Sequence, residues 1–116
     1  MNYNVIEIKS FSFAIKVIAV YKYLCYEKKE FVLSKQLLKC GTSIGANVKE
    51  GLRGQTKRDF LAKMNIALKE SNETEYWLEL LIASGFMVEK ELLKECREIC
   101  RILNSIVSTT KRNLDI

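Results

Sequence analysis

The sequence contains no proline and no histidine, and both absences narrow what the chain can be. Because proline is the strongest helix breaker, its absence from all 116 residues favours long, uninterrupted helices. Histidine is the commonest general base and a frequent zinc ligand, so acid–base catalysis lacks its usual group and a mixed cysteine/histidine zinc site is excluded. Together the two absences favour a helical protein that is not an enzyme.

The four cysteines do not have the spacing of a metal site or of a redox pair. No C-x-x-C pair occurs among Cys25, Cys40, Cys96 and Cys100. The last two lie four residues apart on the apolar side of a predicted helix. We interpret all four as reduced side chains that act as small core hydrophobes, and we predict no metal and no cofactor. Reduced cysteines also indicate a cytoplasmic location.

Long hydrophobic runs and common catalytic motifs are also missing. The most apolar stretch, residues 10–26, is interrupted by Lys16 and Lys22, so its uncharged runs fall short of the roughly 18 residues of a membrane span. The first ten residues lack a basic region followed by an apolar one, so no signal peptide is expected. Phosphate-binding and nucleophile-elbow glycine motifs are absent. We therefore predict a non-enzymatic protein with no membrane partner.

What the sequence does contain is four apolar patterns with helical spacing, and no stretch alternates as a strand does. Ser34 and Thr56 are predicted N-caps, and Gly51 and Gly54 are predicted to lie in the turn after the second helix. Short connections favour antiparallel neighbours, so residues 1–116 are predicted to form one all-α domain, an antiparallel up-down-up-down four-helix bundle. The predicted helices run from about Glu7 to Tyr26, from Ser34 to Lys49 or Glu50, from Thr56 to near Gly85, and from Glu89 to Lys111.

Two glycines interrupt the apolar pattern of the second helix. Glycine inside a helix costs about 1 kcal/mol against alanine, so Gly41 and Gly45, four residues apart, need a reason. Without side chains they allow another helix backbone to come close, and a local kink is the alternative. A polar row of Ser43, Asn47 and Glu50 runs beside them. This row is predicted either to be solvated or to hydrogen-bond to a neighbouring helix or loop.

The first and third predicted helices carry more apolar surface than a single core requires. In the first helix, apolar residues cover well over half of the circumference. The third helix carries Glu75 inside its core-facing arc, where a carboxylate needs a partner or a proton. It also has an apolar patch on its far side, which predicts a homo-oligomer unless the fourth helix covers the patch. The predicted subunit contacts are Ile66, Trp77, Leu80 and Leu81.

The net charge of +5 is concentrated in residues 1–58, which hold eleven Lys/Arg against four Asp/Glu. Two cationic clusters can follow a phosphate backbone, unless they are solvated faces with pairs such as Lys94 with Glu98. No aromatic interleaving suggests base stacking, so any nucleic-acid binding is expected to be backbone-directed. The basic row consists of Lys90, Lys94, Arg97 and Arg101. The turn cluster, between the second and third helices, consists of Lys49, Arg53, Lys57, Arg58 and Lys63.

The central sequence resembles the signature of bacterial four-helix bundle proteins encoded in intervening sequences of 23S ribosomal RNA genes. The matching elements are the S-I-x-x-N-x-x-E-G run at residues 43–51, Arg53 and Lys57 in R-x-x-x-K, the Phe60 position, and the E-S-x-x-x-E-x-W-L run at residues 70–78. The resemblance implies a left-handed four-helix bundle and, in known relatives, a ring of five subunits. It does not imply an established biochemical activity. The signature residues here are Ser43, Asn47, Glu50, Gly51 and Glu75.

Two functions are consistent with these features. A related bundle, the accessory protein of diversity-generating retroelements, forms a basic pentameric barrel that binds nucleic acid and a reverse transcriptase. The resemblance therefore implies an oligomeric accessory protein that binds nucleic acid, with RNA as the favoured ligand. The alternative is an oligomeric protein–protein adaptor whose basic surface is incidental. Salt-dependent RNA binding by the purified protein distinguishes the two.

Overall fold

The computed structural model describes residues 3–116, which form four α-helices and, within that range, no strand. The all-α class and the four predicted helices are confirmed, and the predicted boundaries are within about three residues of the observed ones. The helices are α1 (Asn4–Tyr26), α2 (Leu33–Leu52), α3 (Lys57–Ala83) and α4 (Glu91–Asn113).

The four helices form an elongated bundle around one core. Each helix packs against the next one in the chain, and α4 also packs against α1. The bundle measures 47 × 21 × 21 Å, which fits helices that lie along its long axis, since 27 residues of α3 span about 40 Å at 1.5 Å per residue. All four helices contribute fully buried side chains to the core, among them Phe13, Leu37, Leu78 and Leu103.

The two glycines of α2 lie where this helix comes close to α1. A Cβ atom at Gly41 would lie 2.9 Å from both γ-methyl groups of Val17, and one at Gly45 would lie 3.3 Å from the carbonyl oxygen of Ser10. The helix runs through both positions without a break. The prediction that these glycines allow a close helix contact is therefore confirmed.

The predicted start of α3 is confirmed, whereas two predictions for α2 are wrong. The hydroxyl of Thr56 accepts a hydrogen bond from the backbone N–H of Asp59 at 3.0 Å, as an N-cap does. Ser34 is not an N-cap but a buried residue inside α2, and its hydroxyl donates to the carbonyl oxygen of Glu30 at 2.8 Å. Gly51 lies in the last turn of α2 and not beyond it. Its missing side chain instead leaves room for Lys63, since a Cβ atom there would lie 3.1 Å from the Lys63 Cβ.

The carboxylate of Glu30 takes the place of the predicted serine cap. It accepts hydrogen bonds from the backbone N–H groups of Val32 at 3.2 Å, Leu33 at 3.0 Å and Ser34 at 2.7 Å. Partial burial raises the pKa of Glu30, but the three N–H groups outweigh this effect, so the pKa lies below its ordinary value. The first turn of α2 therefore depends on an ionised side chain from the preceding connection.

We expect Glu30→Ala to lower the free energy of unfolding by about 1 kcal/mol at neutral pH, because three N–H groups lose their acceptor. Since the folded-state pKa is lowered, this contribution is present above the ordinary pKa of 4.5 and is lost as the pH falls through the folded-state value. Urea unfolding at a series of pH values, at fixed protein concentration, measures the effect. The matched control is Glu27→Ala, an exposed glutamate in the same connection. An equal loss for both variants would contradict the capping role.

Candidate nucleic-acid interface and subunit contact surface

The basic row follows the exposed side of α4. Lys94, Arg97 and Arg101 lie on the helix, and Lys90 is the residue just before it. All four are exposed, whereas the opposite side of α4 is buried in the core, for example at Leu103. The sequence periodicity therefore placed the basic row on the correct side of the helix.

The glutamates that flank the basic row are paired with another helix. Glu95 forms an ion pair with Lys16 of α1, and Glu98 forms one with Lys9. The hydrogen bond from Lys9 and its charge lower the pKa of Glu98. The alternative pairing of Lys94 with Glu98 is not formed, and within residues 3–116 neither Lys94 nor Arg101 joins an ion pair. Because α1 supplies the partners, the glutamates of α4 do not take up the cations of the basic row.

Arg97 differs from the other cations of the basic row. Its Nε donates a hydrogen bond to Glu75 at 2.9 Å, and its Nη2 lies 3.5 Å from a carboxylate oxygen of Glu79. The hydrogen bond with Glu75 raises the pKa of Arg97. The partner that Glu75 was predicted to need is therefore Arg97. Because this guanidinium joins α4 to α3, Lys94 and Arg101 are the better candidates for binding phosphate.

The turn cluster lies at the end of the bundle where α2 meets α3. Its members Lys49, Arg53, Lys57 and Arg58 are exposed. The Nζ atom of Lys63 lies 3.9 Å from the Oε2 atom of Glu50, one of the signature residues. The last turn of α4 adds two cations that the sequence reasoning did not select, Lys111 and Arg112. The next residue, Asn113, lines a surface cavity of about 530 Å³ together with Lys57. Cations in the last turn of a helix are common because they interact favourably with the helix dipole. Their presence in the sequence therefore did not indicate a binding site.

Two signature residues of α2, Ser43 and Asn47, form hydrogen bonds within the helix itself. The hydroxyl of Ser43 donates to the carbonyl oxygen of Lys39 at 2.8 Å, and the amide of Asn47 donates to the carbonyl oxygen of Ser43 at 2.8 Å. Both bonds stay within α2. The predicted alternative of hydrogen bonds to a neighbouring helix or loop is therefore wrong for these two side chains.

A second feature of the surface is an apolar stripe on α1. The other apolar side of α1, which includes Phe13 and Val17, is buried in the core. The exposed residues recur at i, i+3, i+7 and i+10, the spacing of a seam between two helices. A contiguous exposed apolar surface of this kind is typical of interaction sites. The α1 stripe consists of Ile8, Phe11, Ile15 and Ile18, which are 67%, 69%, 56% and 40% exposed.

The predicted contact residues on α3 occupy several environments. Ile66 is exposed, whereas Trp77 and Leu80 are half-buried. Trp77 packs partly against the core, and its indole nitrogen is buried with no acceptor in the described chain. The prediction for Leu81 is wrong, because this side chain is completely buried. At about 100° per residue, Leu81 shares the core side of α3 with Leu78, not the outer side.

The remaining candidate chemistry is limited. Within residues 3–116, no cluster of side chains is placed to hold a metal ion, and no helix combines the length and apolar character that crossing a membrane requires. All four cysteines are free thiols, as the sequence predicts. Cys40 is buried, and desolvation raises the pKa of its thiol to about 11. Such a thiol is a small core hydrophobe and a poor nucleophile.

Comparison with known proteins adds two matches. Residues 3–105 match the family described as 23S rRNA-intervening sequence protein. The chain is also similar to a solved structure, a protein with unknown function from the S23 ribosomal protein family of Bacteroides thetaiotaomicron VPI-5482. That similarity has a TM-score of 0.89 at 48% sequence identity and covers 93% of this chain and 99% of that chain. No match was found among curated proteins.

Proposed function

The chain belongs to the 23S rRNA-intervening sequence protein family, and on that basis we propose that it is an oligomeric, non-enzymatic accessory protein that binds RNA through the phosphate backbone. The observation that carries the proposal is the pairing of Glu95 and Glu98 with lysines of α1. It leaves Lys94 and Arg101 exposed and outside any ion pair of the described chain. Lys94 and Arg101 lie about two helical turns apart on the same side of α4. Cations in such a row can bind phosphates and release condensed counterions.

The proposed architecture is an antiparallel up-down-up-down bundle. Gly41 approaches Val17, and Gly45 approaches Ser10, so one residue number rises as the other falls. The ion pairs of α1 with α4 follow the same order. In this arrangement the α1–α2 and α3–α4 connections lie at one end of the bundle, and the turn cluster lies at the other. Surface cations are then available along α4 and at one end.

The proposed oligomer is a ring of five subunits, as the family resemblance implies. The α1 stripe is the surface that best supports subunit contact, since its four side chains lie outside the chain's own core. Beside the stripe, α1 and α2 enclose a groove of about 360 Å³ lined by Phe11, Ile15 and Gly45. A groove beside a row of apolar side chains suits the packing of another helix. A ring would repeat each basic surface and make weak contacts multivalent.

We expect Lys94→Gln with Arg101→Gln to weaken RNA binding about equally across unrelated sequences. Each lost phosphate contact should also reduce the slope of log affinity against log salt by about 1. Fluorescence anisotropy with labelled RNA at several salt concentrations measures both effects. Folding should change little, because both side chains are exposed.

The matched control is Arg53→Gln with Lys57→Gln, which removes the same charge from the turn cluster. If only this pair loses binding, the site lies at the α2–α3 end of the bundle. The proposal is wrong if neither pair alters binding, or if the unmodified protein binds neither RNA nor DNA at about 50 mM salt. The exposed α1 stripe favours the alternative, an oligomeric protein–protein adaptor, and that function would then replace the present one.

A further inference from the structure

The end of the bundle where α1 meets α2 exposes three aromatic side chains. Tyr26 is 70% exposed and Phe31 is 59% exposed, and Tyr23 lies beside them at the end of α1. We call these three residues the aromatic tip. None of them belongs to the core, and Lys22 separates them along α1 from the apolar stripe. The tip is therefore a surface of its own.

The backbone of the aromatic tip is held in place by hydrogen bonds. The N–H of Glu27 donates to the carbonyl oxygen of Tyr23 at 2.8 Å, and the N–H of Glu30 donates to that of Leu24 at 2.9 Å. The carboxylate of Glu30 then fixes the start of α2. Because the connection is short and anchored at both helices, the rings are presented from a defined backbone. A surface that is ordered before binding loses less conformational entropy when a ligand arrives.

The charges around the aromatic tip are mainly positive. The ammonium group of Lys28 lies 6.0 Å from the centre of the Tyr23 ring. The carboxylate of Glu30 is already bound to backbone N–H groups, so Glu27 is the remaining acid of the connection. The tip therefore combines flat, exposed rings with a surplus of cations. The lysines of this segment, all exposed, are Lys22, Lys28, Lys29 and Lys35.

We propose that the aromatic tip stacks on unpaired bases of a single-stranded RNA while its lysines contact the phosphates. The expectation that no aromatic residues are interleaved with cations is wrong for this segment. Exposed rings interleaved with cations suit single strands, because every unpaired base has a flat face that a ring can cover. The inference rests on the proposed RNA-binding function. It adds contacts between the aromatic tip and the bases to the phosphate contacts already proposed for the basic row.

The basic row begins beside the aromatic tip and continues along α4, so a bound strand can extend from the rings along these cations. Tyr23 lines a surface cavity of about 350 Å³ together with Val88 and Glu89 of the α3–α4 connection, so the tip is adjacent to the start of α4. Lys90 and Lys94 follow immediately. A line of cations that leads away from the rings fits a linear polyanion better than a flat membrane surface.

The test compares an RNA of about 12 nucleotides, within the site sizes of single-strand binders, with an abasic strand of the same length. We expect the unmodified protein to prefer the strand with bases. Tyr26→Ala with Phe31→Ala should weaken binding of that strand by at least about tenfold, since each stacked base contributes about 5- to 150-fold. Binding of the abasic strand and the salt slope should stay unchanged. Tyr26→Phe with Phe31→Tyr keeps both rings and should bind normally.

The matched control for lost apolar surface is Val32→Ala with Val88→Ala, two exposed aliphatic residues at the same end of the bundle. It should leave RNA binding unchanged. In contrast, Lys94→Gln with Arg101→Gln should flatten the salt slope and keep the preference for bases. If the ring variant keeps both its affinity and this preference, the stacking inference is wrong and the backbone-directed proposal stands. If no RNA binds, both are wrong.

Two other outcomes would also overturn the inference. Loss of the oligomer in the ring variant, measured by light scattering, would make the aromatic tip a subunit contact. Binding to vesicles that contain anionic lipid, abolished in the ring variant while RNA binding is unchanged, would make it a membrane-binding surface. Circular dichroism of each variant verifies the helical fold, which should persist because the rings lie outside the core.

Discussion

Replacing Phe11 and Ile15 by glutamate is expected to convert the proposed oligomer into a 13.4 kDa monomer with unchanged helicity. Both side chains are more than half exposed in the single chain, so the substitutions do not disturb its core. In an assembly they would be buried, and each contributes about 1.5–3 kcal/mol when removed from water. An unpaired carboxylate at the same place costs still more. Light scattering at micromolar concentration measures the mass, and circular dichroism measures the helicity.

The comparison variant for this prediction is Ile66→Glu, which places the same charge on the exposed part of the predicted α3 patch. If it dissociates the oligomer while the α1 variant does not, the contact lies on α3, as the sequence predicts. Trp77→Glu is less informative because the indole packs partly against the core, so assembly and folding would be lost together. A monomer for the unmodified protein would contradict the oligomer itself.

Gly45→Leu is expected to destabilise the fold strongly, by about 1–3 kcal/mol or more. The Cβ atom alone would lie 3.3 Å from the carbonyl oxygen of Ser10, and this neighbour is backbone that cannot rotate away. Three further carbon atoms would force α1 and α2 apart. The control is Ala46→Leu at the next, exposed position of α2, where leucine meets no neighbouring helix and should be nearly neutral. Urea unfolding measures both variants.

Gly41→Ala tests the same contact with a smaller change. Its Cβ would lie 2.9 Å from the methyl groups of Val17, which is completely buried and β-branched, so it has few other rotamers. Overpacking of about 1–3 kcal/mol should exceed the gain of about 1 kcal/mol in helix propensity. Repeating the substitution in a Val17→Ala background should reduce the cost, because the two positions are coupled. Stabilisation by both Gly41→Ala and Gly45→Ala would contradict the close contact.

The helix starts illustrate how far local sequence rules reach. Thr56 is a cap because its hydroxyl meets an N–H only three residues ahead, and this geometry is local. At α2 the same rule selected Ser34, but the helix begins one residue earlier, and the side chain of Glu30 accepts from the N–H groups of Leu33 and of Ser34 itself. The cap is therefore a carboxylate from the preceding connection, and its reach depends on how tightly that connection turns.

The candidate site was likewise predicted only in part from local sequence rules. Periodicity placed Lys94 and Arg101 on the exposed side of α4, because helical geometry alone determines which residues share a side. It did not predict that α1 would pair with Glu95 and Glu98, or that Arg97 would join Glu75. These pairs connect residues 22 to 89 positions apart in the chain, and only the packing of the helices brings them together.

The sequence by itself determined the four helices, the placement of Gly41 and Gly45 on one side of α2 and the amphipathic character of α4, since each depends on interactions within a few residues or on a repeat of 3.6 residues. Only the tertiary structure decided which apolar side of α1 stays exposed and that Leu81 is buried. Both sides of α1 are apolar enough for a core, so its periodicity does not distinguish them. The choice follows from which side α2 and α4 cover, and that depends on the packing of the whole chain.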